Sequence, residues 1–223
     1  VRQRGGVCPG VHRALARNAQ PTRLSPVGSR APSLPHRYMH WYDALNLYFP
    51  VEEMKSREHI ETLLEERGHF YRVDHSEDHV LLYVEGEDFV FVDYLLVQAS
   101  ARGKGLGATL LDRLKAKNKP ILLEVEPADY EDTDTIKRHR FYEREGFQHA
   151  ESVRYRRRSL ATREVNELEI LYWAPDGETS EEEVYEHMRA TYEHVHTWRD
   201  EEFYGERYQP VDEVLTLETA VPA

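Results

Sequence analysis

The sequence predicts an α/β protein in which helices flank one central mixed sheet and a helical extension follows it. Two strand-like runs, 79–85 and 89–97, are joined by a tight turn, which indicates an antiparallel hairpin. A glycine-rich loop then leads into a helical run at 108–117 and a short apolar strand at 121–125. Such a strand–helix–strand unit makes its two strands parallel, with a right-handed crossover. The sheet is therefore expected to be mixed.

Helical spacing predicts the elements that precede the hairpin. Between 51 and 67, apolar residues recur near helical spacing among charges, and Gly68 follows where a helix C-terminus is expected. This pattern indicates one or two short amphipathic helices. Residues 69–73 then have the composition of a strand, which adds a third strand next to the hairpin.

The elements after the parallel unit are set by caps and apolar runs. Asp132 and its neighbours offer N-caps for a helix that runs to about Glu145, and Gly146 is expected to end it. Strands are predicted at 147–155 and 168–173, because both runs are rich in apolar and aromatic residues.

A C-terminal extension begins with a second well-capped helix. Ser180 and Glu183 have the spacing of a capping box, and apolar residues then keep one helix face as far as about Trp198. No linker separates this part from the rest, so residues 39–178 are expected to form one domain and residues 179–223 to pack on it.

The first 38 residues differ in composition from the rest of the chain. Residues 1–37 contain seven arginines, no lysine and no acidic residue, although the net charge of all 223 residues is −12. Three interpretations compete: an organelle transit peptide, a nucleic-acid-binding arm, or upstream sequence outside the working protein. The last is favoured because regular patterns begin only after Met39. Too few apolar residues are present for a core, so disorder is expected.

Composition excludes several functions for the rest of the chain. The mean hydropathy is −0.72, and no apolar run approaches the ~20 residues that a membrane helix needs. An acidic body repels nucleic acid, and the basic run 154–158 is expected to be a solvated strand end. The one cysteine, Cys8, excludes a disulfide within the chain and agrees with a reducing cytoplasm. The sequence leaves a homodimer open.

The glycine-rich loop is the strongest functional signal. It lies between a strand and a helix N-terminus, where glycines expose backbone N–H groups and the helix dipole is positive. An anion, most simply a phosphate, can bind there. Gly103-x-Gly105-x-x-Ala108 also matches a dinucleotide fingerprint, but five residues separate it from its strand and a hairpin precedes it. A Walker loop is excluded because no Gly-Lys-Ser/Thr closes the run.

Two motifs together resemble the GNAT superfamily of N-acetyltransferases. The segment 97–107 is similar to its loop for the pyrophosphate of acyl-CoA, and Phe141-Tyr142-x-x-x-Gly146-Phe147 is similar to its later helix. The resemblance covers about 51–155 well. From Met39 onward, the chain also resembles an uncharacterised bacillus-type branch of these enzymes, which indicates no particular substrate.

The resemblance implies a site for acetyl-CoA as co-substrate. The strand that ends at Val97 would separate from the strand at 121–125, and the pantetheine arm would pair with the backbone of Leu96 and Val97. The loop residues would hold the pyrophosphate through backbone N–H groups and positive charge. These residues are Arg102, Gly103, Lys104, Gly105, Leu106 and Gly107.

Catalytic candidates follow from the proton transfers that amide formation needs. Tyr142 matches the superfamily's usual general acid and would protonate the departing thiolate. Asp93 is predicted to share one face of its strand with Phe91 and Leu95, and Glu124 interrupts an apolar strand. Either could face the cleft as the base. His194 and His196 are two residues apart on a helix and so point to different faces; no metal site is expected. Acidic residues between 126 and 134 suggest a cationic acceptor.

The expected function is direct transfer of an acetyl group from acetyl-CoA to an amine on a small molecule or a protein. A non-catalytic acyl-CoA-binding regulatory module is the alternative, since it needs the loop but not Tyr142. A nucleotide-dependent oxidoreductase is a third and weaker interpretation.

Overall fold

A mixed sheet of eight strands forms the centre of the structure, a computed structural model that describes residues 39–159 and 162–218. The strands are β1 Tyr71–His75, β2 His79–Glu85, β3 Val90–Val97, β4 Ile121–Val125, β5 Gln148–His149, β6 Val153–Arg158, β7 Val165–Trp173 and β8 Leu215–Leu217. They are ordered β1-β2-β3-β4-β7-β6-β8, and β5 also pairs with β7. Only β3 and β4 run parallel among these strands, so the predicted mixed sheet is confirmed.

Helices cover the sheet, and their ends are capped largely as predicted. They are α1 Trp41–Tyr48, α2 Arg57–Glu66, α3 Leu106–Lys115, α4 Thr133–Arg144, α5 Glu181–Thr191, α6 Asp200–Tyr204 and α7 Val211–Val214. The capping box at α5 is confirmed, since Ser180 Oγ accepts from the N–H of Glu183 and the Glu183 carboxylate accepts from the N–H of Ser180. Ser56 caps α2 with a single bond, since its Oγ accepts from the N–H of His59.

The two faces of the sheet carry separate apolar cores. Helices α1, α2 and α5 pack on one face, where Leu45, Ile60 and Met188 are fully buried. Helices α3 and α4 pack on the other face, where Leu110 and Leu111 are fully buried. Burying one such side chain contributes about 1.5–3 kcal/mol, so both helical layers stabilise the sheet.

A bulge in β3 changes the alternation that the sequence predicts. Leu82 of β2 pairs with Tyr94, but the next residue pairs with Val92, so Asp93 is left as an extra residue in β3. Phe91 and Tyr94 therefore belong to one core, whereas Leu95 packs against the other. The prediction that Phe91, Asp93 and Leu95 share a face is wrong, because the bulge reverses the alternation.

The predicted strand at 147–155 is in fact two strands. β5 ends at His149 and β6 begins at Val153, and a turn between them is held by Glu181, whose carboxylate accepts from the N–H groups of Glu151 and Ser152. β6 then continues to Arg158. The prediction of a solvated strand end is wrong for Arg157, which is only 7% exposed because its side chain points to the inner side of β6.

The C-terminal extension is more irregular than predicted. The helix expected to reach about Trp198 ends as an α-helix at Thr191 and continues as a π-helical turn, Tyr192–His196. α6, α7 and β8 follow, and β8 adds a strand beside β6. No helix within 39–159 or 162–218 combines the length and apolar character that crossing a bilayer requires. The predicted leader, 1–38, lies outside the described residues.

Candidate active site

A cleft of about 720 Å³ opens where β3 and β4 separate. The two strands pair only over Val90–Val92 and Ile121–Leu123, so β3 has no partner strand on that side from the bulge to Val97. The glycine loop and α3 form one wall, α4 forms another, and the segment between α1 and α2 closes the third. The cleft therefore has an amide-bearing strand edge along its floor.

The glycine loop is shaped for close approach by an anion. Gly103 and Gly105 have φ of +74° and +80°, a region that favours glycine, and a Cβ at either position would meet nothing within 4 Å. Gly105 is the N-cap of α3, so the unpaired N–H groups of the first helical turn lie at the loop. The open space at both glycines leaves room for a ligand beside the backbone.

The third glycine has a packing role as well. A Cβ at Gly107 would lie 3.1 Å from Cζ of Phe141, so a larger residue here would require the Phe141 ring to shift by a few tenths of an ångström. Gly107 and Leu106 both line the cleft.

The other predicted coenzyme residues divide into two groups. Val97 and Arg102 line the cleft, and Arg102 Nε donates to the Val97 carbonyl oxygen at 3.0 Å while its guanidinium lies over the ring of Tyr48. Leu96 has its side chain in the core, and Lys104 is exposed on the loop and does not line the cleft. Leu96 can thus contribute only backbone groups.

Tyr142 projects from α4 into the cleft and is 7% exposed. Its ring packs between Phe141 and Phe147, with centroids 5.1 and 5.4 Å away. Burial raises its pKa to about 12, so the hydroxyl keeps its proton at neutral pH. No residue of the described chain forms a hydrogen bond with that hydroxyl. It is free to donate to a ligand.

Asp93 is engaged by two groups. Lys55 Nζ lies 2.7 Å from Oδ1, and the Tyr71 hydroxyl donates to Oδ2 at 2.5 Å. Both members of the ion pair are buried, and burial lowers the pKa of Lys55 while Asp93 opposes that shift. Asp93 is the extra residue of the bulge, and it lines the cleft.

Glu124 is held by residues from two distant elements. His196 Nε2 donates to its carboxylate at 2.8 Å, and Arg157 lies 3.8 Å away. Burial alone would raise the pKa of Glu124, but His196 and Arg157 outweigh it and hold the value at about 2. Burial lowers the pKa of His196, while Glu124 opposes that shift; the His196 Nδ1 is buried without a hydrogen-bond partner among the described residues.

The acidic run after β4 is only partly at the site. Glu126 and Asp134 line the cleft, whereas Asp132 caps α4 and Asp129 accepts from the N–H of Glu131. His139 Nε2 lies 2.8 Å from the Glu126 carbonyl oxygen. No cluster of three metal-binding side chains occurs in the part of the chain that the structure describes.

Three residues that line the cleft escaped the sequence reasoning, namely Glu53, Lys55 and Arg157. So did His196, which contacts the cleft residue Glu124. Lys55 is 38 residues from Asp93, and His196 is 72 residues from Glu124, so no local spacing could reveal either pair. A weak signal existed for Arg157, because a polar residue at an inward strand position requires a buried partner.

Comparisons with known proteins agree with this architecture. A family model described as an acetyltransferase (GNAT) domain matches residues 64–149. The protein named "Putative acetyltransferase YjbC" from Bacillus subtilis (strain 168) is 59% identical over 179 residues, which are 80% of this chain and 93% of that protein. A splayed mixed sheet with a glycine loop at the splay is thus the fold of an acetyltransferase, and the chain belongs to the GNAT family.

A solved structure supports the fold independently. It is described as a "Putative acetyltransferase from GNAT family from Bacteroides thetaiotaomicron", and it superposes with a TM-score of 0.55 at 20% identity. The match covers 75% of this chain and 91% of that one. At such low identity the match speaks for the fold alone.

Proposed function

We propose that the protein transfers an acetyl group from acetyl-CoA directly to the nitrogen of an amine, with Tyr142 as the acid for the departing thiolate. One observation carries this function: a single cleft is lined by both the glycine loop and Tyr142, at the point where β3 and β4 separate. We place the catalytic domain at residues 39–178 and its extension at 179–223.

Binding of acetyl-CoA would use the loop and the free edge of β3. The pyrophosphate would accept hydrogen bonds from N–H groups at the start of α3, with Arg102 and Lys104 adding positive charge. The pantetheine amides would pair with backbone groups of Leu96 and Val97, as in strand addition. The unpaired edge beyond Val92 supports this arrangement.

Tyr142 suits the acid role because its hydroxyl stays protonated and unpaired. When the amine nitrogen bonds to the thioester carbon, the carbon–sulfur bond breaks and its electron pair stays on sulfur. The hydroxyl proton would pass to that thiolate. A protonated phenol held by Phe141 and Phe147 needs no reorganisation for this step.

Asp93 and Glu124 are both candidates for the base, and that prediction stays open to test. Their partners favour a different role. The Asp93 carboxylate is already bound by Lys55 and Tyr71, and Glu124 is held at a pKa of about 2, which makes it a weak proton acceptor at pH 7. We propose that Asp93 and Glu124 instead hold their charged partners in place at the end of the cleft where the acceptor would bind.

The acceptor itself would be a small-molecule or protein amine, attracted by acidic groups such as Glu126.

The function is tested by thiol release from acetyl-CoA with a panel of primary amines: diamines, amino acids, aminoglycosides and peptides. Tyr142→Phe is expected to lower kcat about 10²-fold or more, since general acids contribute about 10²–10⁴-fold. Tyr130→Phe is the matched control, because Tyr130 is 88% exposed and outside the cleft.

Two outcomes would contradict the proposal. Acetyl-CoA binding without turnover on any amine, unchanged by Tyr142→Phe, would indicate a regulatory acyl-CoA-binding module. A rise in melting temperature with NAD but not with acetyl-CoA would indicate a dinucleotide site instead.

A further inference from the structure

Glu53 occupies an unusual position at the acceptor end of the cleft. It lies in the segment between α1 and α2, and its carbonyl oxygen accepts a hydrogen bond from the Tyr94 hydroxyl at 2.8 Å. The same hydroxyl accepts from the N–H of Lys55 at 3.0 Å. One buried tyrosine of β3 therefore fixes the backbone on both sides of Met54, and the Glu53 side chain is presented from a rigid segment.

The carboxyl group of Glu53 lacks the partner that every similar group in the cleft has. Six carboxylates line the cleft: Glu53, Asp93, Glu124, Glu126, Asp134 and Glu145. Within the described residues, all but Glu53 form an ion pair, with Lys55, Arg157, Arg138, Lys137 and Lys115 respectively. Glu53 Oε1 is also buried without a hydrogen-bond partner among those residues. A cationic ligand would supply what is missing.

The surroundings of Glu53 bring the pKa of its carboxyl group close to neutral pH. Burial raises its pKa, and Glu126 after β4 adds to the rise. Arg138 of α4 and Arg157 of β6 oppose it, and Glu52 next to it contributes a smaller rise. The resulting pKa is about 7, which is the range in which a general base works best at neutral pH.

We propose that Glu53 accepts the proton of the acceptor's ammonium group and so generates the amine that attacks acetyl-CoA. This inference rests on the proposed acetyl transfer and names the missing base. It also defines the acceptor as a primary ammonium ion that pairs with Glu53 before reaction.

The proton balance of the reaction is complete with these groups. The ammonium gives one proton to the Glu53 carboxylate, and the neutral nitrogen forms its bond to the thioester carbon. The carbon–sulfur bond breaks, and the thiolate takes the Tyr142 proton. The second nitrogen proton returns to Tyr142 through solvent, and Glu53 releases its proton to solvent when products leave. The net products are an amide, free CoA and one proton.

The experiment uses the amine from the panel that gives the highest rate and compares pH profiles of kcat/KM. The full-length protein is expected to show a rising limb with a midpoint near 7. Glu53→Gln should lose that limb and lower kcat at pH 7 about 10²-fold or more, as general bases do, while the Kd for acetyl-CoA stays within twofold. Glu53→Asp should keep the limb at a reduced rate.

Glu52→Gln is the matched control, because it removes the same charge one residue away and outside the cleft. It should keep kcat and shift the midpoint slightly to lower pH. If Glu53→Gln keeps both rate and pH limb, this inference is overturned while the proposed acetyl transfer stands. If no amine supports thiol release by the unaltered protein, the proposed function fails first and the inference with it.

Discussion

The Lys55–Asp93 pair shows how single buried charges depend on each other at this site. Lys55→Met would leave the Asp93 carboxylate with only the Tyr71 hydroxyl as partner. Removing one member of a buried ion pair costs about 3–5 kcal/mol, and we expect a loss of that size in denaturant unfolding. Adding Asp93→Asn to Lys55→Met should recover part of the loss, because no charge is then left unpaired.

Arg57→Met serves as the comparison for this prediction. Arg57 also forms an ion pair with an aspartate, Asp43, but both side chains are about half exposed. Exposed pairs contribute about 0–1 kcal/mol, so little stability should be lost. Equal losses of unfolding free energy in the two variants would show that burial does not determine how much the Lys55–Asp93 pair contributes to stability.

Two glutamates of the cleft are expected to affect stability in opposite directions as pH changes. The pKa of Glu124 is lowered from 4.5 to about 2, so its contribution is present above pH 4.5 and lost as pH falls toward 2. The pKa of Glu53 is raised from 4.5 to about 7, so the unfolded chain releases this proton first and stability falls as pH rises from 4.5 to 7.

Glu53→Gln should therefore stabilise the protein at pH 8, by up to roughly 3 kcal/mol, and change little at pH 4. Melting temperatures of the two proteins measured across this pH range check the sign. A Glu53→Gln variant that is less stable than the unaltered protein at pH 8 would show that the native carboxylate has a partner.

Individual site residues were predictable only where a short motif contains them. Tyr142 and the glycines of the loop lie in contiguous patterns whose chemistry is local. His196 and Lys55 act through partners brought near by folding, and nothing in their immediate neighbours distinguishes them from surface residues. Glu53 is unusual because its buried Oε1 has no hydrogen-bond partner among the described residues, and only the three-dimensional contacts reveal this.

At the level of structural elements, substitutions in the glycine loop can distinguish the cost in backbone conformation from the loss of ligand binding. Gly103 and Gly177 have the same φ of +74°, and a Cβ on either would meet nothing within 4 Å. Gly103→Ala and Gly177→Ala should each cost about 1–2 kcal/mol of stability. Only Gly103→Ala should also weaken acetyl-CoA binding, because its methyl group would occupy the space expected for a phosphate. Calorimetric titration with acetyl-CoA measures the difference.

The bulge in β3 shows why an apolar pattern can predict a strand without predicting the direction of each side chain. Apolar alternation predicts a regular strand through Asp93, and the strand itself is confirmed. The extra residue depends on the register with β2, which is set by tertiary contacts. Bulges next to active sites re-aim side chains, and this one turns Asp93 to Lys55.

Across the whole molecule, the C-terminal extension is part of the core. Val184, Met188 and Tyr192 are buried with residues of α1 and α2 in one apolar cluster. Met188→Ala is expected to lower the free energy of unfolding by about 2–5 kcal/mol, as large-to-small core substitutions do. Glu182→Ala, on the exposed side of α5, should have little effect. Denaturant unfolding monitored by tryptophan fluorescence tests both.

The mixed sheet was predictable because its defining units are local: a hairpin and one strand–helix–strand crossover. The C-terminal third was not, since β8 pairs with β6 across more than fifty residues and the short helices α6 and α7 carry little periodicity. Length limits such pattern reading, because four or five residues do not define a period.

The contact between Glu124 and His196 also has a consequence for the order in which the cleft can form during protein synthesis. The glycine loop, β4 and α4 are translated before residue 150, so the coenzyme half of the cleft can assemble early. The partner of Glu124, His196, is synthesised 72 residues later. The hydroxyl that binds the N–H of Ser56 belongs to Tyr204, which is synthesised 148 residues later. On the ribosome, the glycine loop is therefore complete before the residues that hold Glu124 and Ser56 have been synthesised.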